Sequence, residues 1–278
     1  MLSGGESGVS GSEKFLKVWS QETGDLKKEN TGGSAGKAVA SDFDNTLYFM
    51  GDEEPMRASD IFGILYFQQR GGLFGICTGR SLIGVTEVIG PYIRPDFFIL
   101  ASGALVVDGN GQVLHKKCLP LDIVKSIYDR FSDSLRVVIQ ANDTVYTFGS
   151  KSYLQSKISS FEELEGADVY GVSMAAPDPE TAAAAAEKIN ELYGKDVTAF
   201  QNVTHVDVAP AGCSKGSGIE VVRKAFGVRQ MYGVGDSFND IPFLSSVDHP
   251  YSMAGSPDEV TRISEGTVRS VSELLERI

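Results

Sequence analysis

Cysteine is scarce: Cys77, Cys118 and Cys213 are the only three in 278 residues. They are odd in number and far apart, with no Cys-x-x-Cys pair and no zinc spacing. That excludes a disulfide framework and points to a reducing compartment, so a cytoplasmic protein is expected. His115, His205 and His249 share no ligand spacing and are expected to be structural. Long apolar runs are missing, and no stretch approaches the ~18 residues that span a bilayer. The first twelve residues are rich in Gly and Ser and lack the apolar core of a secretory leader. Positive charge is in deficit, with 25 Lys and Arg against 37 Asp and Glu, a formal net charge of −12. This balance argues against nucleic acid or an anionic membrane as the main partner. It leaves room for a small anionic substrate, because a bound metal can reverse the local field.

What remains is an ordinary globular composition, 42% apolar and 22% charged, in a chain long enough for one large or two modest domains. Residues 1–36 read as a flexible N-terminal segment bounded by Gly and Ser, with a helical turn or docking segment at 15–19. Gly36-Lys37 superficially ends a P-loop. Position 31 is Thr where that pattern needs Gly, and Ala38 stands where it needs Ser or Thr, so the reading fails.

From Lys37 the chain alternates. Strands are expected over 38–43, 73–77 and 96–101, separated by helices over 57–70 and 81–90. Asp108-Gly109-Asn110-Gly111 signals a hairpin or a boundary. The next stretch reads as a separate unit: helices over 119–131 and 181–193, and strands over 136–140, 144–148, 169–175 and 197–201. The first pattern then resumes. Strands are expected over 204–209, 230–234 and 250–253, and helices over 214–226, 238–245, 258–264 and 271–278. The expected fold is α/β: a doubly wound parallel-sheet core over 37–110 and 203–278, with an inserted α/β domain over 111–202.

Four positions at strand ends carry candidate chemistry. Asp42 and Asp44 follow an apolar strand. They are either a nucleophile with an acid/base partner or a pair of turn-capping aspartates. Thr78 and Gly79, after the second strand, offer a hydroxyl and free N–H groups to an anion, or an ordinary helix cap. Arg80 reaches a phosphate or the insert, or pairs with an acid. Lys215 stands at a helix start, where the helix dipole disfavours a cation, which makes it more notable than a lysine in mid-helix. Gly235-Asp236-Ser237-Phe238-Asn239-Asp240 closes a later strand on acids. Asp236 suits a hard cation, with Asp240 orienting the site from behind it. In a doubly wound sheet all four fall on the same edge, where ligands bind. Asp207 is read as seating Lys215 or capping its own turn.

Asp42-Phe43-Asp44-Asn45-Thr46-Leu47 resembles the first motif of the haloacid dehalogenase superfamily. Thr78 matches its second motif, Lys215 its third, and Gly235–Asp240 the GDxxND form of its fourth. The insert between motifs two and three resembles the α/β cap of the Cof-type subgroup, on a Rossmann-like core. One departure is Ser102, where that subgroup often has Asn before Gly-Ala. The resemblance implies a Mg²⁺-dependent phosphatase acting on small phosphorylated metabolites, sugar phosphates foremost. Asp42 would be the nucleophile and Asp44 the acid and base. Asp42, the Asp44 carbonyl and Asp236 would hold Mg²⁺, with Asp240 behind them. Lys215, Thr78, Gly79 and Asn239 would bind the phosphoryl group. Two alternatives stay open: a phosphomutase of the same superfamily and a non-catalytic phospholigand-binding protein. Oligomeric state is not legible.

Overall fold

The computed structural model describes residues 36–152 and 154–278. The flexible segment expected over 1–36 lies outside the described residues apart from Gly36, as does the turn weighed at 15–19.

The chain enters at β1, Lys37–Ser41, and continues through α1, Ala58–Gln69, β2, Leu73–Cys77, α2, Leu82–Ile89, and β3, Phe97–Leu100. A hairpin of β4, Leu105–Asp108, and β5, Val113–Lys116, follows. Next come α3, Leu121–Phe131, β6, Arg136–Ala141, β7, Thr144–Thr147, β8, Gln155–Lys157, and β9, Val169–Ala175. Then follow α4, Pro179–Tyr193, β10, Val197–Asn202, and β11, His205–Pro210. The chain returns through α5, Lys215–Phe226, β12, Gln230–Gly235, α6, Ile241–Leu244, and β13, His249–Met253. It finishes with α7, Asp258–Arg262, β14, Gly266–Val268, and α8, Val271–Glu276.

Among the described residues these strands form two sheets. The first has the order β14-β13-β12-β1-β2-β3-β4-β5, parallel from β14 to β3 and antiparallel at β4 and β5. Its central strands are buried on both faces, as parallel strands under helices must be. Alternate residues feed two cores. Val39, Ile76 and Phe98 pack with Ile64, Val85 and Leu274 on one face. Ala38, Ala40, Cys77 and Ile99 pack with Ile219, Val222 and Phe243 on the other. The α/β core with a separate inserted sheet is therefore as expected.

The second sheet has the order β10-β11-β9-β6-β7-β8. Val137, Ile139, Val172, Met174, Val206 and Val208 point from it toward α3 and α4, meeting Val124, Ile127, Ala182 and Ile189 in a core of their own. The residues between them point the other way, toward the first sheet's strand ends.

Sheet membership argues for other domain boundaries than those expected. The hairpin at 108–111 does not end the core. Asp108 accepts from the N–H groups of Asn110 and Gln112 at 2.9 and 2.8 Å, and the turn returns β5 alongside β4. The strand expected over 204–209 is β11, and it pairs with β10 and β9 in the inserted sheet, not in the core. We therefore propose crossings at 117–120 and 211–214 in place of 110 and 202. The crossings lie side by side, with Lys117 Nζ donating to the Ala211 carbonyl at 2.7 Å.

A smaller difference concerns the helix expected over 238–245. It is split into a single 3-10 turn, Phe238–Asp240, and the short α6, with Pro242 near its start. Among the described residues no helix is long and apolar enough to cross a membrane. The three cysteines are free.

Candidate active site

The strand order puts β1 between β12 and β2, so their carboxyl ends share one crevice. Asp42 stands just past β1, Asp236 just past β12 and Thr78 just past β2. The backbone continues the ladder for one more residue, Asp42 N–H donating to Val234 O at 2.8 Å. This bond fixes the Asp42 carboxylate beside β12.

Lys215 arrives from the opposite direction as the first residue of α5. Ser214 is its N-cap, its Oγ accepting from Ser217 N at 3.1 Å. The loop carrying Ser102 and Gly103 packs onto that cap. A Cβ on Gly103 would lie 2.0 Å from the Ser214 carbonyl oxygen, so only glycine fits there.

The result is a buried charge cluster. Lys215 Nζ donates to Asp42 Oδ1 and to Asp240 Oδ1, each at 2.6 Å, and all three side chains are under one tenth exposed. Asp240 Oδ2 accepts from the N–H groups of Asp236 and Ser237 at 2.9 and 3.2 Å. Both Asp240 oxygens are thus committed, as suits a residue that positions others. Thr46, which the sequence reading did not single out, donates to Asp236 Oδ1 at 3.3 Å.

Asp42, Asp236 and Asp240 each bring a carboxylate oxygen within 4.8 Å of the others. Burial, and then the Asp240 charge, push the Asp42 carboxyl well up, against the pull of Lys215. The same two causes raise Asp236 to about 6. Three acids around one ammonium leave excess negative charge in a low-dielectric site. An all-oxygen donor set of this kind fits a hard cation, and this triad could hold a metal ion, Asp240 joining only by giving up one of its present donors.

Asp44 is held apart from that cluster. Its two oxygens accept from Arg80 Nη2 at 2.6 Å and Nε at 2.9 Å, a forked pairing. Arg80 lies over the Phe43 and Tyr48 rings, at 5.1 and 5.4 Å from their centroids. Of the options read for Arg80, the structure shows the pairing with an acid.

Thr78 is buried, and its Oγ1 accepts from Arg80 N–H at 3.2 Å. Asn239 lines a cavity of only about 10 Å³ with Lys215, Ser102, Phe200 and Pro242. Phe200 belongs to β10, so the inserted sheet roofs the site. Gly79 faces the same roof, since a Cβ there would sit 2.7 Å from Asp207 Oδ2. Asp207 does not seat Lys215 by a hydrogen bond; its Oδ1 accepts from Ser173 Oγ at 2.5 Å. Ser173, which the sequence analysis does not single out, is findable as a polar residue alternating with buried ones in "VYGVSMA".

An acid pair after the first strand, a lysine at a helix start and a closing acidic loop, under an inserted α/β roof, define a class of hydrolase fold. The family model described as haloacid dehalogenase-like hydrolase matches residues 39–273, and the chain belongs to that family. It is 25% identical over 250 residues to YkrA of Bacillus subtilis (strain 168), covering 85% of this chain and 93% of that one. To the HMP-PP phosphatase of Escherichia coli O157:H7 it is 22% identical over 232 residues, covering 79% of this chain and 85% of that one. A haloacid dehalogenase-like hydrolase from B. subtilis superposes with TM-score 0.77 at 17% identity, over 87% of this chain and 99% of that one. A subclass IIB sugar phosphatase superposes with TM-score 0.70 at 17% identity, over 87% and 98% of the two chains. The core with an inserted α/β roof is the fold this chain shares with these structures.

Proposed function

We propose that this protein is a Mg²⁺-dependent phosphatase of small phosphomonoesters, sugar phosphates foremost, working through an aspartyl-phosphate on Asp42. The observation that carries the reading is the buried Asp42–Lys215–Asp240 cluster, with Asp236 beside it, at the crevice of a parallel sheet. A lone buried carboxylate is costly, and a nucleophile held by one lysine next to a second acid is arranged for chemistry rather than stability.

In this reading an Asp42 oxygen attacks phosphorus in line with the ester oxygen. The P–O ester bond breaks, and the leaving oxygen takes its electron pair and a proton from Asp44, which for this step is protonated and turned from Arg80. Asp44, now a carboxylate, takes a proton from the water that attacks the aspartyl-phosphate, and inorganic phosphate departs. Lys215, Thr78 Oγ1, the Gly79 N–H and Asn239 hold phosphoryl oxygens. Asp240 positions Lys215 and the 236–237 backbone. Asp42, Asp236 and the Asp44 carbonyl would hold Mg²⁺, which supplies charge neutralisation of the transferring group. Two similar proteins are an HMP-PP phosphatase and a sugar phosphatase, which supports phosphoester chemistry.

The test is phosphate release from a panel of sugar, nucleotide and cofactor phosphates, with Mg²⁺ and with EDTA, for wild type and Asp42→Asn. Mg²⁺-dependent release that the variant lacks is expected. Turnover only with a bisphosphate activator would replace this reading with a phosphomutase. Tight ligand binding with no turnover would replace it with a binding protein.

A further inference from the structure

Three adjacent cap strands each place one polar side chain over the core loop that carries Gly79. Asp207 on β11 lies directly opposite Ser173 on β9 in the sheet register, and Gln140 lies on neighbouring β6. Their flanking residues, Val206, Val208, Val172, Met174 and Ile139, all point into the cap core. The polar face is therefore the one turned to the active site.

The three are chained in one direction. Gln140 Nε2 donates to the Gly79 carbonyl at 2.9 Å and to Ser173 Oγ at 3.2 Å. Ser173 Oγ donates onward to Asp207 Oδ1. These bonds fix the amide orientation, because its NH₂ must face the Gly79 carbonyl. Gln140 is 7% exposed, and its Oε1 is buried without a hydrogen-bond partner. An orphaned buried acceptor is costly, and natural folds rarely leave one without a reason. Asp207 Oδ2 adds a second acceptor, which faces the backbone of Gly79. Burial raises the Asp207 carboxyl from its ordinary range, and the Lys215 and Asp44 charges both act on it. The cap acid therefore stands within electrostatic reach of the reacting groups.

We propose that Asp207 and Gln140, with Ser173 as their positioning residue, read the leaving group by accepting hydrogen bonds from it. The substrate class is then an ester whose alcohol carries hydroxyl or ammonium donors and no second anionic group. A carboxylate or second phosphate there would meet a half-buried carboxylate and an amide oxygen, with Arg80 already committed to Asp44. The inference rests on the phosphatase reading and narrows it to residues.

The test uses pairs of esters that differ only in a terminal CH₂OH or carboxylate. These are glycerol 1-phosphate with 3-phosphoglycerate, and sorbitol 6-phosphate with 6-phosphogluconate, alongside p-nitrophenyl phosphate. Wild type should favour the hydroxyl member of at least one pair by about tenfold or more in kcat/KM. Asp207→Asn, nearly isosteric, should shrink that ratio severalfold, and Ser173→Ala should shrink it less. Circular dichroism melts check that the variants fold, and the ratio within one variant is independent of the active fraction. A wild-type preference for the carboxylate member overturns the inference, as does a ratio that Asp207→Asn leaves unchanged. If p-nitrophenyl phosphate is hydrolysed in either case, the phosphatase reading survives and only the inference falls. If wild type hydrolyses no ester at all, both fall together.

Discussion

Arg80 grips both oxygens of Asp44, at 2.6 and 2.9 Å, while the other acids of the site gather around Lys215. The guanidinium is itself braced, by the Gly84 carbonyl at 3.1 Å and by two aromatic rings. The site's acids are thus divided between two cations, and Asp44 is aimed independently of Asp42.

That division predicts how Asp44→Asn fails. With a leaving group that needs no proton, the first step should survive and the second should stall. A stopped-flow experiment with p-nitrophenyl phosphate should show a burst near one equivalent of p-nitrophenol, then slow turnover. Alkyl phosphates should lose about 10²–10⁴-fold in kcat, the usual size of a general acid–base contribution. No burst, or equal losses for both ester types, would contradict the role.

Lys215→Met removes the one ammonium between two buried carboxylates. Stranding such charges costs about 3–5 kcal/mol. Urea unfolding in EDTA should show a loss of that order. Much of it should return with saturating Mg²⁺, which would replace part of the missing positive charge. An unchanged midpoint in EDTA would mean that Lys215 does not hold the two carboxylates in place.

Asp236 gives a pH signature. Its carboxyl is raised to about 6, chiefly by burial and next by Asp240. A folded pKa above the unfolded value means the fold binds that proton more tightly. Its stabilising contribution is complete below the unfolded pKa of about 4 and is lost as pH rises through 6. Metal-free protein should therefore lose some stability across that window. Mg²⁺ binding needs the proton gone, so its affinity should climb across the same window and level off above it. Calorimetric titrations of Mg²⁺ at pH 5, 6 and 7.5 check this, and a flat affinity would refute it.

Gly79→Ala tests closure. The added methyl carbon would lie 2.7 Å from Asp207 Oδ2, across the gap between core and cap. The clash exists only when the two meet. Stability should shift by less than about 1 kcal/mol, as for most substitutions outside a packed core. The kcat/KM should fall by about tenfold or more, because a displaced cap misplaces the substrate. A large fall in melting temperature with normal kinetics would point to packing instead.

The acids at 42, 44, 236 and 240 were legible because each lies in a short local pattern closing a buried strand. Parallel topology alone then brings those strand ends together. The doubly wound core and the inserted domain followed from the same alternation. Strand membership was harder. The turn at 108–111 is the same signal whether it closes a domain or adds a hairpin to a sheet. β11 alternates apolar and polar residues just as a half-covered core strand would. Pairing partners are long-range, and nothing near Asp207 announces Ser173, 34 positions away. The role of Arg80 was open for the same reason: its charge is visible in the sequence, its partner is not.

The crossings proposed at 117–120 and 211–214, tied by Lys117 to the Ala211 carbonyl, would have a mechanical meaning. Two separated tethers would let the cap slide or twist, whereas two tethers at one spot leave mainly rotation about a single pivot. The space of about 10 Å³ among Lys215, Ser102 and Phe200 is smaller than a phosphate, so a phosphatase of this build is expected to open at that pivot to take one in beside Lys215. The clock of this enzyme would then be set by how fast the door turns, as much as by phosphorus chemistry behind it.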